Sequence, residues 1–341
     1  MPFLDLHCDT VARLLAARRA GLPGDLRRGT PGGHLSLEAL RQSGALLQTF
    51  ALFVNLSPAP AGNPEDLYAR SMAHREADPL EEVLTLADLY WQELAQNADL
   101  ARPVLSFQDM EAARREGRLA CLLAVEEGGV CRGQLPLLRT LYRLGVRMLT
   151  LTWNHPNQLG FPNGQPGGLT ETGRAFLAEM ETLGMLPDVS HLGDEGFWDV
   201  CRLAKKPFLA SHSCCRALWD HPRNLTDDML RALGDRGCLV GVNFYAGFLG
   251  PHPTSRLDDL LRHIRHLLDT AGPEAVALGS DFDGIDCPLE LGDAGHLDRL
   301  TAAMDRAGFS DREIEAVCWQ NAWDFFRRTL SAPPLNKEVS P

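Results

Sequence analysis

Lysine is nearly absent from the sequence, and its scarcity limits the kinds of site that the chain can build. Only Lys205, Lys206 and Lys337 occur, and arginine supplies the rest of the 33 basic residues. No lysine stands before residue 205, so a site formed from the first half of the chain cannot use a lysine side chain.

Three further features are missing. The nine cysteines have no paired spacing, so we expect free thiols and a reducing compartment. No apolar run approaches the roughly 20 residues of a spanning helix, and no secretory signal precedes the first apolar run. No basic stretch interrupts a chain of net charge −12, which argues against a nucleic-acid partner. We therefore predict a cytoplasmic protein with neither nucleic acid nor membrane as a partner.

What the sequence does contain is enough apolar material for one large core. It has 341 residues, of which 45% are hydrophobic and 23% charged. No linker, repeat or low-complexity tract divides it, so we predict a single catalytic domain over 1–330. The polar, proline-rich end, 331–341, is predicted to be a tail.

Apolar runs of strand length alternate with segments of helical period. The predicted strands are Phe3–His7, Leu46–Val54, Leu119–Val125, Val146–Thr152, Leu186–His191, Pro207–His212, Cys238–Phe244 and Ala275–Asp281. Runs that are apolar on both faces are typical of a buried parallel sheet, and eight of them favour an α/β fold of the closed (β/α)8 TIM-barrel type. The alternative is an open doubly wound sheet, but no Gly-x-Gly-x-x-Gly follows the first strand.

The helical segments lie between or after these strands. They are predicted at Glu81–Ala98, Gln134–Leu144, Leu169–Leu183, Asp194–Leu203, Leu225–Leu233, Arg256–Thr270 and Asp311–Arg328. Two segments interrupt the alternation. Leu56–Pro79 and Asn154–Gly168 are rich in turn-forming residues and are predicted to be long loops over one rim of the barrel.

The first strand ends in His7-Cys8-Asp9. On an extended backbone alternate side chains share a face, so His7 and Asp9 would point the same way and could hold one divalent cation. The simpler alternative is structural: His7 closes the strand and Asp9 caps the helix that follows. The other strand ends decide between these interpretations.

Histidines and carboxylates close several of the other strands. Glu126-Glu127 follows the third strand, His191 the fifth, His212 the sixth, and Asp281 and Asp283 the eighth. In a parallel barrel all of these positions meet at the C-terminal rim, where active sites lie. Each residue alone has a structural explanation, but their coincidence at one rim predicts a metal site.

The number of ligands predicts two metal ions. His7, Asp9, His191, His212 and one glutamate exceed what a single catalytic zinc binds. Many two-metal barrel hydrolases use a carbamylated lysine as the bridge; because no lysine stands at a strand end before Lys205, Glu126 or Glu127 must bridge instead. Two ions would hold a hydroxide between them and polarise a carbonyl group. Asp281 is the candidate general acid and base.

These residues belong to a longer pattern that resembles the membrane dipeptidase or renal dipeptidase family of zinc hydrolases, peptidase family M19. The matching stretches include Asp5–Thr10, Val125–Gly129, Leu138–Trp153, Gly168–Thr170, Gly184–His191, Ser211–Ser213, Arg223–Asn224, Asn243–Tyr245, Gly279–Gly284 and Asn321. They span nearly the whole chain, and together they are highly specific.

The resemblance implies two Zn²⁺ ions per chain. In it His7 and Asp9 hold one ion, Glu126 bridges, and His191 and His212 hold the other. Glu126 is preferred over Glu127 because it keeps the family's spacing to the following strand. Histidine and carboxylate ligands also accept cobalt or manganese.

The resemblance also implies residues that act on the substrate. Arg223 matches the arginine that grips the dipeptide's C-terminal carboxylate, and Asp281 matches the catalytic aspartate. Tyr245 falls near the site, and Asp283 is a candidate for holding the substrate's amino group or orienting a neighbour. The resemblance further suggests a homodimer.

One position departs from the family's better-known members, which have a histidine where this chain has Trp153. His155 would face the same way as Trp153 if the strand continued, and it is the candidate replacement in catalysis. Trp153 itself is a candidate for contacting the substrate.

Three hypotheses follow for the function. The first is a dipeptidase that hydrolyses unblocked dipeptides, including those with a D-residue on the C-terminal side, by the metal-bridging hydroxide. The second is a binuclear metal amidohydrolase acting on N-acyl amino acids or lactams. The third is a non-catalytic binding protein on the same scaffold, against which the complete ligand set argues.

Overall fold

Parallel strands form a closed ring at the centre of the protein. The computed structural model describes residues 1–57, 67–72 and 78–330, and within them nine strands form one sheet. The strands are β1 Phe3–Asp5, β2 Ala45–Phe53, β3 Ala101–Val104, β4 Leu119–Glu126, β5 Val146–Thr150, β6 Leu186–Asp188, β7 Leu209–Ala210, β8 Leu239–Val242 and β9 Val276–Leu278. All strands except β3 follow one another around the sheet, and β2 pairs with β4 to close it. The predicted (β/α)8 barrel is confirmed.

Strand β3, which is additional to the eight predicted strands, was not predicted from the sequence. Its residues Ala-Arg-Pro-Val show no alternation of apolar and polar side chains, and a proline is unfavourable inside a sheet. It pairs with residues 119–122 of β4, while β5 pairs with residues 123–126 of the same strand. The long strand β4 thus provides pairing positions that make this short stretch extended.

Several strands end earlier than predicted, and the polar residues of the rim lie in the loops beyond them. His191 has a φ of 68° and Asp281 a φ of 62°, values of the left-handed region that a strand cannot continue through. The chain therefore turns before these residues, and period-two alternation no longer gives their side-chain direction.

Helices surround the barrel, and all the predicted ones are present. The helices are α1 Thr10–Arg19, α2 Leu37–Ser43, α3 Leu67–Met72, α4 Pro79–Gln96, α5 Phe107–Arg115, α6 Leu135–Arg143, α7 Glu171–Leu183, α8 Asp194–Leu203, α9 Asp227–Asp235, α10 Ala246–Leu249, α11 Leu257–Ala271, α12 Asp298–Arg306, α13 Asp311–Glu315 and α14 Asn321–Thr329. A π-helical turn, Ala316–Gln320, divides the predicted segment Asp311–Arg328 into α13 and α14. Side-chain caps start several helices; Thr170, for example, accepts a hydrogen bond from the backbone N–H of Gly173 at 2.9 Å.

The two predicted loops differ in how far they are described. Residues 154–168 are irregular apart from a bridge between Pro162 and Leu192. The other loop contains α3, and its residues 58–66 and 73–77 lie outside the described part of the chain, as does the predicted tail 331–341. No helix in the described ranges is both long and apolar enough to cross a membrane.

The core has an outer layer and an inner one, and β4 contributes to both. Cys121, Leu123 and Val125 pack in the outer cluster with apolar residues of the surrounding helices. Leu122 and Ala124 belong to the second cluster, which contains residues from most of the strands and is therefore the barrel interior. Because side chains alternate along a strand, the last residue of β4 projects into the barrel as well.

Candidate metal centre

Glu126 is that last residue, and its two carboxylate oxygens face different histidines. Oε2 lies 3.4 Å from Nε2 of His7. Oε1 lies 3.1 Å from Nε2 of His191 and 3.4 Å from Nε2 of His212. The side chain is buried, so its carboxylate stands between the two groups of ligands in the manner of a bridge.

His7 and Asp9 come together in the loop that follows β1. Nε2 of His7 lies 3.4 Å from Oδ2 of Asp9 and 3.8 Å from Oδ1 of Asp281. Asp9 occupies the cap position of α1, but its side chain accepts no hydrogen bond from that helix. The structural alternative, in which Asp9 serves as a helix cap, is therefore not what this carboxylate does.

His191 and His212 present their Nε2 atoms to each other at 3.0 Å. Nδ1 of His191 lies 2.8 Å from Oδ1 of Asn154, and an amide oxygen can only accept a hydrogen bond. Nδ1 of His191 therefore carries the proton of the neutral ring. Its Nε2 then offers a lone pair towards Glu126 and His212, which is the arrangement of a metal ligand.

The residues of the site fit a divalent metal. Both ring nitrogens of His7 and Oδ1 of Asp9 are buried and have no hydrogen-bond partner among the described residues. Such groups are costly to bury unless something else satisfies them. Ligand atoms of His7, Glu126 and His212, and of His7, Asp9 and Asp281, lie within 4.8 Å of one another. Imidazole and carboxylate donors in this number are a typical ligand set for such ions.

Electrostatics in the site favour a bound cation. Burial, with the charge of Glu126 adding to it, raises the pKa of Asp9 to about 8. Burial raises the pKa of Asp281 to about 6. Burial also opposes ionisation of Glu126, but the histidines around it hold its pKa well below its usual range. Burial and Arg223 lower the pKa of His191 to about 4, so that ring is neutral at pH 7. Burial opposes protonation of His7, but Glu126 and Asp9 raise its pKa well above the usual range. These carboxylates thus attract a positive charge, which a metal ion can supply.

Glu127, the other candidate for the bridge, points to a neighbouring loop. Its carboxylate accepts hydrogen bonds from the backbone N–H groups of Gly129 and Trp153 and from the side chain of Asn157. Its backbone φ of 111° departs from the strand geometry of β4. The structure thus brings Glu126 to the histidines and uses Glu127 to anchor the start of the loop at 153–157.

A cavity of about 450 Å³ opens in front of these ligands. Four predicted site residues outside the ligand set share its wall, namely Trp153, Arg223, Tyr245 and Asp281. Gly284 also lines it, and a Cβ atom there would collide with the carboxylates of Asp9 and Asp281. Glycine at this position leaves room for both.

Arg223 is a buried cation at the cavity wall. Its Nη2 donates to the backbone oxygen of His212 at 3.2 Å, and Nη1 lies 3.5 Å from Oγ of Ser213. Its Nε is buried and has no hydrogen-bond partner within residues 1–57, 67–72 and 78–330. The guanidinium lies 5.2 Å from the ring centre of Phe248. An arginine held in this way can pair with an anionic group that enters the cavity.

Two predicted residues lie elsewhere. Strand β5 ends at Thr150, so His155 does not follow the strand direction; it is absent from the cavity wall, and its ring packs near Trp153 at 5.7 Å. Asp281 and Asp283 both have a left-handed backbone conformation, so their side chains do not share one face as they would on a strand. Oδ2 of Asp283 accepts from Oγ1 of Thr10 at 2.7 Å, and Oδ1 accepts from the N–H of His34 at 2.7 Å. Asp283 thus connects α1 to the loop before α2.

Two asparagines at the site received no role from the sequence. Nδ2 of Asn243 donates to Oδ2 of Asp281 at 2.9 Å, and Asn154 contacts His191 as described above. Asn243 directly follows β8, so the rule that polar residues at strand ends face the site could have found it. Asn154 lies in an irregular loop, and no sequence pattern marks it.

The chain is similar to proteins of one family along its whole length. A profile described as Membrane dipeptidase (Peptidase family M19) matches residues 1–333. An uncharacterized dipeptidase of Schizosaccharomyces pombe is 32% identical over 321 residues, which cover 90% of this chain and 75% of the yeast protein.

Solved structures give the same result. The crystal structure of dipeptidase AC, a metallopeptidase of family M19, matches with a TM-score of 0.83 and 29% identity, covering 97% of this chain and 99% of that one. A metallopeptidase from Rhodobacter sphaeroides, liganded with a phosphinate mimic of the dipeptide L-Ala-D-Ala, matches with a TM-score of 0.83 and 28% identity, covering 96% and 99%. The chain therefore belongs to the membrane dipeptidase family, peptidase family M19, and is a metallo-dipeptidase.

Proposed function

We propose that this metallo-dipeptidase uses two Zn²⁺ ions to hydrolyse unblocked dipeptides, including those with a D-residue on the C-terminal side. The observation that carries the proposal is the division of the Glu126 carboxylate, with one oxygen towards His7 and the other towards His191 and His212. A single ion would leave part of this ligand set unused.

In the proposed centre His7 and Asp9 hold one ion, His191 and His212 hold the other, and Glu126 is shared. When bound, the two ions supply a hydroxide nucleophile at neutral pH and polarise the carbonyl oxygen of the peptide bond. The protein's part is to fix the ligand positions before the substrate enters, and burial of all five side chains does so.

Asp281 moves the proton in the proposed reaction. Asn243 holds its Oδ2, and Oδ1 is left on the side of His7. Burial raises the pKa of this carboxyl to about 6, close to the pH at which a group can both accept and return a proton. Asp281 takes a proton from the attacking water and donates it to the leaving nitrogen.

Arg223 recognises the C-terminal carboxylate of the dipeptide. Its guanidinium is a buried positive charge with one nitrogen free of hydrogen bonds, and a carboxylate can accept from it in a fork geometry. Asp283 is occupied by Thr10 and His34, so we assign the substrate's amino group to the acidic wall formed by Asp9 and Asp281. We assign no part in the reaction to His155.

Two observations support a D-residue in the substrate. The metallopeptidase from Rhodobacter sphaeroides that this chain resembles was crystallised with a mimic of L-Ala-D-Ala. The cavity wall here is partly aromatic, with Trp153 and Tyr245 as predicted contacts for the substrate, so it has apolar surface for a small side chain.

Metal content and substrate panel test the proposal together. Elemental analysis of the purified protein is expected to give two zinc ions per chain. L-Ala-L-Ala and L-Ala-D-Ala are expected to be cleaved, and their N-acetylated forms are not. Cleavage of only the acetylated dipeptides, or of lactams, would instead favour the binuclear amidohydrolase. Failure to bind any metal would contradict the proposed centre.

The role of Arg223 has its own test. In Arg223→Lys the charge remains but the fork is lost, so we expect KM for L-Ala-D-Ala to rise at least about tenfold. L-Ala-D-alaninamide, which lacks the carboxylate, provides the matched comparison. Wild type and variant should cleave this amide equally poorly. If Arg223→Lys reduced cleavage of the amide as much as it reduces cleavage of L-Ala-D-Ala, carboxylate recognition by Arg223 would be contradicted.

Two other expectations, a homodimer and a cytoplasmic location, stay predictions. Size-exclusion chromatography with light scattering measures the first, and cell fractionation the second.

A further inference from the structure

Two buried aspartate–serine pairs lie behind the metal centre, and they have the same geometry. Asp188 ends β6 and pairs in register with Leu209, and the serine two residues beyond Leu209 is Ser211. Asp5 ends β1 and pairs in register with Leu278, and the serine two residues beyond is Ser280. In each pair Oδ1 accepts the serine N–H, at 2.9 and 2.7 Å, and Oδ2 accepts the hydroxyl at 2.6 Å.

The two serine hydroxyls differ in their second neighbour. Oγ of Ser211 lies 2.7 Å from Nδ1 of His212 and, at the longer distance of 3.3 Å, from Oγ of Ser190. Oγ of Ser280 lies 3.3 Å from the backbone oxygen of His7 and contacts no ring nitrogen. The two pairs thus have matched serine–aspartate contacts. Ser211 contacts the side chain of a proposed metal ligand, whereas Ser280 contacts only the backbone of one.

The position of the hydrogens follows from chemistry. A serine hydroxyl has one proton, and the best acceptor next to Ser211 is the carboxylate of Asp188. Asp188 accepts from the hydroxyls of Thr150 and Ser211 and from the backbone N–H groups of Ser190 and Ser211, which is the pattern of an ionised carboxylate, so the hydroxyl proton of Ser211 points to Oδ2. Oγ of Ser211 then has only lone pairs for His212, and Nδ1 of His212 must carry the proton in that contact.

We propose that Asp188 is a positioning residue which, through Ser211, fixes His212 in the tautomer that offers Nε2 to the metal. The inference rests on the proposed function, since it concerns the same metal centre. Asp188 is itself held by Oγ1 of Thr150 at 2.8 Å and by the N–H of Ser190 at 3.0 Å. Its side chain is fully buried, so no water competes for the chain of hydrogen bonds.

The test compares Ser211→Ala with Ser280→Ala, each in the full-length protein. Both variants remove a serine–aspartate hydrogen bond of the same length together with two further contacts of the hydroxyl, so urea unfolding of the metal-free proteins should show similar losses of stability. Competition of Zn²⁺ with a chromophoric chelator then measures metal affinity. We expect Ser211→Ala to weaken one of the two Zn²⁺ sites by about 10- to 100-fold, as loss of an outer hydrogen-bond partner does. We expect Ser280→Ala to change both sites by less than about threefold.

A spectroscopic measurement on the wild type keeps the inference testable if a variant does not fold. Nitrogen-15 NMR of labelled histidines in the metal-free protein distinguishes a protonated Nδ1 from a protonated Nε2. A proton on Nε2 of His212 would overturn the inference, as would equal Zn²⁺ affinities of the two serine variants. A wild type that binds no Zn²⁺ would instead contradict the proposed function, and the NMR result would still judge the tautomer.

Discussion

The two halves of the proposed metal centre are held in different ways. On the side of β6 and β7, Nδ1 of His191 contacts Asn154 and Nδ1 of His212 contacts Ser211. On the side of β1 and β9, both ring nitrogens of His7 lack a hydrogen-bond partner in the described part of the chain, although the Asp5–Ser280 pair repeats the geometry of Asp188–Ser211. One half is therefore positioned by hydrogen bonds, and the other depends on the cation to satisfy its buried groups.

Glu126 joins the halves, so its replacement should have the largest effect. In Glu126→Gln an amide N–H₂ would face the lone pairs of the histidines, and the shared negative charge is lost. We expect kcat/KM for L-Ala-D-Ala to fall by about 10³-fold and the metal content to fall below two per chain. Steady-state kinetics and elemental analysis measure both.

The neighbouring residue gives the matched control for this experiment. Glu127→Gln makes the same chemical change one position along, where the carboxylate contacts Gly129, Trp153 and Asn157. It should keep two metals while the loop at 153–157 loosens. If Glu127→Gln lost metal and Glu126→Gln kept it, the assignment of the bridge would be wrong.

Metal removal should affect the two halves of the proposed centre to different extents. In the proposed centre each ion would add about 3–4 kcal/mol of stability at ion concentrations of 100–1,000 times Kd. After chelation we expect amide hydrogen exchange to rise more in residues 3–10 than in residues 186–192 and 209–213. His191 and His212 keep their hydrogen bonds to Asn154 and Ser211, whereas the buried atoms of His7 and Asp9 have none within the described ranges to replace the metal. Mass spectrometry of the exchanged peptides checks this. Equal increases in both halves would remove the distinction drawn here.

His263 packs behind the β7 side of the centre, and its protonation should make the stability of the metal-free protein depend on pH. Its Nδ1 accepts from the N–H of Cys215 at 3.1 Å, and Nε2 donates to the backbone oxygen of Leu249 at 3.1 Å. Burial lowers its pKa to about 4 from an ordinary 6.5. The unfolded chain therefore binds a proton first as pH falls, and the stabilisation present above about pH 6.5 is lost towards pH 4.

The expected size of this loss is up to about 3 kcal/mol. Urea unfolding of the metal-free protein at several pH values between 7.5 and 4.5 measures it. His263→Gln should be less stable throughout but should lose less stability with falling pH than the wild type does. Parallel pH curves for the two proteins would show that another group causes the loss.

Asn154 should give the smallest effect. Asn154→Ala removes the partner of His191 Nδ1, but residue 154 is exposed, so water can take the place of the amide oxygen. We expect Zn²⁺ affinity to fall by about tenfold or less, which is below the effect of Ser211→Ala, because the Ser211 hydroxyl is buried. Chelator competition on both variants compares them; a larger loss for Asn154→Ala would reverse the order.

The sequence predicted the frame of the site well because that frame depends on local patterns. Apolar runs bounded by helices identified the eight barrel strands, and polar residues after them identified the rim. It missed β3, whose extended form comes from pairing with β4 rather than from its own residues. It also missed Asn154, whose contact with His191 depends on an irregular loop.

By itself the sequence determined the alternation of strands and helices, and with it which histidines and carboxylates reach one rim. The family resemblance already preferred Glu126 over Glu127 and Asp281 over Asp283. Only the tertiary structure showed what the other two carboxylates contact: Glu127 accepts from Gly129, Trp153 and Asn157, and Asp283 accepts from Thr10 and His34. Strand alternation gives the direction of a side chain only as far as the strand extends. Beyond it, left-handed residues such as His191 and Asp281 redirect the chain. The partners that hold each ligand then come from strands and loops that are distant in sequence, so no local pattern encodes them.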